Sequence, residues 1–142
     1  MEQELFTALA DHLSENYPEV ALMLPMDVSV TQYLWDKVHN VLPLADQLSA
    51  EGMDKKSVIS SCLDAMTVGL QPSRYQYING VMKDEFPQEY EELEKEGVLK
   101  FEILTLIEVC AGTFESFSFS HQTLNSNLLR HAIIAVIHHH IL

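Results

Sequence analysis

Gly69-Leu70-Gln71-Pro72-Ser73-Arg74-Tyr75-Gln76-Tyr77, followed by Glu85-Phe86-Pro87, is the stretch from which the rest of this chain is read. A glycine after an apolar helical run supplies the left-handed residue at which a helix stops. Ser73 with Gln76 three positions on reads as a capping box, the hydroxyl accepting from a first-turn amide and the Gln side chain reaching back. Pro87 suits the first position of a further helix, where a missing amide is no loss. One helix therefore ends at Gly69, a second runs from Ser73 to about Phe86, and a third starts at Pro87.

The same signals recur on both sides. Leu5, Leu9, Leu13 and Tyr17 form one apolar stripe on a helix from about Glu2 to Asn16, stopped by Pro18. Glu19 to Leu24 allows one more turn. Ser29-Val30-Thr31-Gln32 is another capping box, opening a helix to about Ala50 and Gly52, with Pro43 predicting a kink or a break at Leu42. Asp54 caps a helix whose face is Val58, Ile59, Cys62, Leu63 and Met66. Gly80, inside the Ser73 helix, costs roughly 1 kcal/mol relative to Ala, which close approach of a neighbouring helix would explain.

Beyond the acidic helix that ends at Gly97, Phe101, Leu104, Ile107 and Cys110 trace a strongly apolar, central helix from Val98 to about Thr113. A last helix is predicted from His121 or Gln122 to the C-terminus, with Leu124, Leu128, Ala132, Ala135 and Val136 on its stripe. Phe114 to Ser120 alternates with period two, a strand pattern without a partner strand. It reads as an extended linker whose aromatics plug a bundle, or as an edge through which Phe117 and Phe119 join a homodimer. The expectation is an all-α, single-domain bundle of six to seven helices over residues 1–142.

Hydrophobic residues make up 47% of the 142, enough for a packed core without disulfides or a structural metal. Eight Lys and Arg stand against 21 Asp and Glu, a formal net charge of -13. Such a field repels phosphate backbones and anionic membranes, so direct binding to nucleic acid or membrane is not expected. Seven acids fall between Asp84 and Glu96, where Lys95 is the one base. They form a solvated helix face, a docking face for a basic protein with Glu89, Glu91, Glu92 and Glu94 at its centre, or a mimic of DNA charge.

Cys62 and Cys110 lie among apolar residues and read as reduced and buried. The acidic start Met-Glu-Gln-Glu is unlike a signal peptide, and no apolar run nears the roughly 18 residues of a membrane span. A cytoplasmic protein is expected.

His138-His139-His140 invite a metal reading, but successive helical residues point about 100° apart and three in a row do not converge on one ion. Asp36-x-x-His39 is the nearest approach to a helical metal pair. The chain has no P-loop, no Gly-x-Ser-x-Gly and no Gly-x-Gly-x-x-Gly. The expectation is no enzyme, no cofactor and no metal. Arg74, Tyr75 and Tyr77, clustered inside a helix N-terminus, are a candidate interaction patch, or else a seal at the bundle end.

Gly69-Leu70, Ser73-x-Tyr75, Val81 and Glu85-Phe86 resemble a domain-of-unknown-function family of small bacterial helical proteins. Leu13-x-x-Asn16-Tyr17-Pro18-Glu19 and the Gly52 to Gly69 spacing agree, and the resemblance covers about Leu5 to Phe86. It implies a compact all-helical domain, often encoded on conjugative mobile elements. It supplies no activity, so no catalytic residue carries over. Gln71-Pro72 departs from a His-Phe-like pair, Gln76 stands where an acid is common, and Pro43 interrupts the second helix. Together these features predict a non-enzymatic protein–protein interaction or regulatory module, with DNA mimicry as the alternative and a small-ligand-binding or enzymatic helical domain as the third reading.

Overall fold

The computed structural model describes residues 1–70 and 72–141, with the backbone alone of Leu22 and Met23. Gln71 and Leu142 lie outside the described residues. The described residues form helices joined by turns and contain no strand. The helices are α1 (Glu2–Asn16), α2 (Val20–Met23), α3 (Val30–Ala50), α4 (Lys55–Thr67), α5 (Arg74–Glu85), α6 (Pro87–Lys95), α7 (Leu99–Val109), α8 (Ala111–Ser116) and α9 (Asn127–Ile141). The count exceeds six to seven because α2 is a separate turn of four residues and the apolar run after Gly97 divides at Cys110.

Local chemistry sets most of the helix ends. Ser29, Asp54 and Ser73 each accept a first-turn amide, from Gln32, Ser57 and Gln76 at 3.1, 3.3 and 3.1 Å. After α3 and α6 the chain leaves through the same pair of bonds. Met53 N–H donates to the Leu48 carbonyl and Gly52 to Ser49; Val98 donates to Leu93 and Gly97 to Glu94. This is the Schellman arrangement, and Gly52 and Gly97 occupy its left-handed position at φ 89° and 74°.

Several expectations need correction. Gly69 has no positive φ; α4 passes instead into a 3-10 turn, Val68–Leu70. Helix α3 runs through Pro43 unbroken, because the lost amide and the ring fall on the solvent side, where Pro43 is exposed. A Cβ on Gly80 would meet nothing within 4 Å, so no neighbour demands that glycine.

Phe114 to Ser120 is neither strand nor extended linker. Helix α8 takes its first three residues, and a third Schellman turn follows with Ser118 left-handed at φ 50°. The last helix starts at Asn127 rather than His121. Thr123 Oγ1 binds the Ser118 carbonyl and the Ser120 amide, holding the intervening chain in turns, and Ser126 caps α9 by accepting from Leu129 N–H at 3.3 Å.

The chain divides into two compact units, Met1–Leu70 and Gln71–Leu142, each with its own core. In the first, α1, α3 and α4 pack on one another, burying Leu5, Leu9 and Leu13 against Val38, Ala45, Val58 and Cys62. In the second, α7 packs against α5, α6, α8 and α9. Each fully buried Leu or Ile contributes about 1.5–3 kcal/mol.

The faces of α7 and α9 agree only in part with the predicted ones. On α7, Ile107 and Cys110 are buried as expected, joined by Ile103 and Leu106; on α9 the buried residues are Leu129, Ile133 and Ile137, and Phe101 and Leu128 stay 72% and 73% exposed. Both helices are apolar on more than one side, so periodicity alone offers two stripes. The neighbours rotate the buried face of α7 and select the other stripe on α9.

Candidate functional site

The two sets of residues singled out in the sequence both lie in the second unit. Ser73 caps α5 and thereby sets the direction of Arg74, Tyr75 and Tyr77 in its first turn. The Arg74 guanidinium lies over the Phe114 ring, 5.0 Å from its centre. Tyr77 meets Phe114 and Phe119 edge-on at 5.7 and 5.2 Å, and those two phenyl rings are 4.8 Å apart. Tyr75 is half-buried on the same core.

The Tyr77 hydroxyl oxygen is buried and has no hydrogen-bond partner among the described residues. Burial pushes that phenol above its ordinary value, opposed by the positive charge of Arg130. Arg74 and Tyr77 thus belong to an aromatic knot that closes one end of the core, a cation over a ring being worth about 0.5–2 kcal/mol. Much of the side-chain surface that a recognition patch would present is turned inward.

The acidic helix α6 is held along its first half. Phe86 is buried at its start, and the Tyr90 hydroxyl donates to Asn79 Oδ1 of α5 at 3.2 Å. Of the four predicted docking residues, the helical period puts Glu89 and Glu92 on one side with Glu96, and Glu91 and Glu94 on another. Glu91 is spent on an exposed ion pair with Lys95 at 3.2 Å, worth at most about 1 kcal/mol.

Glu89, Glu92 and Glu96 line an open cleft of about 270 Å³, and Glu102 of α7 and His140 of α9 complete its wall. Leu93 and Ile141 supply its apolar part. Glu102 Oε1 lies 3.6 Å from His140 Nε2. Glu102 and His140 were missed by sequence reasoning, since only tertiary packing brings them to Glu89 and Glu92, whereas Glu96 belongs to the acidic run and follows from the helical period. Beside the cleft, Arg130 of α9 reaches Asp84 and Glu85 at 3.4 and 3.2 Å, tying the last helix to the end of α5.

The cleft's carboxylates are spread along it. Among the described residues no three His, Cys, Asp or Glu side chains gather as a metal would require. Spaced anionic groups with an apolar floor match an extended organic cation, such as lysine and arginine side chains on a peptide. The two cysteines are of a different kind. Both are buried and free, and burial raises the Cys62 thiol and pushes Cys110 up to about 11, so both are protonated and poor nucleophiles at neutral pH.

No helix among the described residues is long and apolar enough to cross a membrane. No family model, no curated protein and no solved structure matches the chain.

Proposed function

We propose that this protein is a non-enzymatic interaction module that recognises a basic segment of another protein. The observation that carries this reading is the convergence of Glu89, Glu92, Glu96 and Glu102 on one open cleft of the second unit. Carboxylates so placed repel one another, and a cationic partner removes that repulsion on binding. The raised thiols of Cys62 and Cys110 favour binding over nucleophilic chemistry. A mobile element is the setting that the family resemblance implies, and a cytoplasmic location and a regulatory role are part of the proposal.

The test is affinity capture on the immobilised full chain from native cells. The reading expects a partner that elects to leave as salt rises from about 50 to about 300 mM, over which exposed charge pairs are screened. DNA mimicry would show instead as displacement by duplex DNA. Retention unchanged by salt, or turnover of a small substrate, would contradict the reading.

A further inference from the structure

The exposed apolar residues of α7 and α9 are the consequence of the burial pattern of those helices. With Ile103, Leu106 and Cys110 inward, Phe101 and Val109 are left on the outer side of α7; with Leu129, Ile133 and Ile137 inward, Leu128 and Ala135 are left on that of α9. Between these outer sides lies an open trough of about 340 Å³ lined by Val109, Ala135, Val136, His139 and His140. His140 also belongs to the acidic cleft, so trough and cleft adjoin.

Helix geometry gives this surface a register. Glu102 in the cleft and Val109 in the trough are seven residues apart on α7, which is two turns, the same face, and about 10 Å along the axis. The seam between α7 and α9 is therefore apolar at one end and anionic at the other, with His140 at the junction.

We propose that this seam is a docking groove for an amphipathic helix of another protein, with apolar side chains in the trough and Arg or Lys about two turns away against Glu92, Glu96 and Glu102. The proposal deepens the basic-partner reading and rests on it. Charge complementarity selects the occupant. A second copy of this chain would bring its own surplus, part of a net charge of -13, to the same carboxylates, and nucleic acids and anionic lipids are repelled likewise. An apolar helix without cations would leave the anionic end unmatched, whereas a helix carrying both uses the i, i+4, i+7 spacing by which helices fill grooves.

The experiment is selection from a displayed library of helix-forming peptides on the intact protein, followed by amide chemical-shift mapping with each selected peptide. The expected result is enrichment of an apolar pair followed by Arg or Lys six to eight positions on, with shifts centred on Glu92, Glu102, Val109 and Val136. Glu92→Gln with Glu96→Gln should weaken binding about three- to tenfold, the range for losing two exposed charge pairs. Ala135→Glu should abolish it, while both variants keep the wild-type melting curve. Peptides that map to the first unit, or that show no basic enrichment, would overturn the groove and leave a protein-binding role standing. Failure to select any peptide would overturn both.

Discussion

Met1–Leu70 holds eleven acids against three bases, net -8, and Gln71–Leu142 ten against five, net -5, yet the acidic cleft is in the second unit. In the first, acids are spaced along α1, α3 and α4 and the linking turns, and Glu4 already holds Lys55 at 2.6 Å. In the second, a short helix carries Glu89, Glu92 and Glu96 on one face and packs beside α7, which adds Glu102. Net charge governs solubility and long-range steering, while a site needs charges brought together by packing.

The apolar surfaces differ in the same sense. The exposed ring of α7, Phe101, and the exposed Leu128 of α9 have no counterpart on α4, which buries Val58, Cys62 and Met66 of its predicted face and half-buries Ile59 and Leu63. In the first unit the exposed Met26, Met53 and Val68 lie between the α-helices, whereas Phe101 and Leu128 of the second lie within them.

The largest expected effects probe the two cores. Leu9→Ala in the first unit should cost about 2–5 kcal/mol and Phe114→Ala in the second about 3–5 kcal/mol. Each unit holds one buried thiol, Cys62 or Cys110, so labelling by a thiol reagent reports on each core separately. Leu9→Ala should accelerate labelling of Cys62 more than of Cys110, and Phe114→Ala the reverse. Equal acceleration at both thiols would break the division into two cores.

A smaller effect of opposite sign is expected at Gly80. A Cβ there meets open space and the residue is mid-helix in α5, so Gly80→Ala should stabilise by about 0.5–1 kcal/mol and slow labelling of Cys110. Loss of stability would mean that a neighbour does approach that face.

Smaller still is an acid effect in the first unit. Hydrogen bonding from Lys55 lowers the Glu4 carboxyl below 4.5, and bonds from the Ser57 hydroxyl and amide lower Asp54 below 3.8. Folded values below unfolded ones mean stabilisation that is complete above about pH 5 and lost as pH falls through the lowered values. Glu4→Gln with Asp54→Asn should therefore flatten the acid-induced loss of helical circular dichroism below about pH 4. An unchanged acid limb would show that other carboxylates govern it.

Much of this fold was legible where the determining chemistry is local. Ser29, Asp54 and Ser73 cap the helices they were expected to cap, and α1 and α3 have the predicted limits because Pro18 and Gly52 act within one turn. What was not legible depends on distant residues. The division at Cys110 uses no proline and no left-handed glycine, Ser118 takes a conformation usual for glycine, and Thr123 delays α9 through bonds that no helical pattern announces. The site shows the same split. Glu89 and Glu92 were visible as part of a charge run, whereas Glu102 and His140 join them only through the packing of α7 beside α6 and of α9 on α7.

The central claim is that binding chemistry is concentrated on α6, α7 and α9. Its most direct test compares two charge-matched variants, Glu92→Lys with Glu96→Lys in the second unit and Asp11→Lys with Glu15→Lys in the first, for binding to one selected basic amphipathic peptide. The account predicts at least a tenfold loss of affinity for the first pair and less than a twofold change for the second, since exposed charges beyond about 10 Å are screened at ordinary salt. Equal losses for both pairs would contradict it, by showing that the overall charge of the chain and not this groove attracts the peptide.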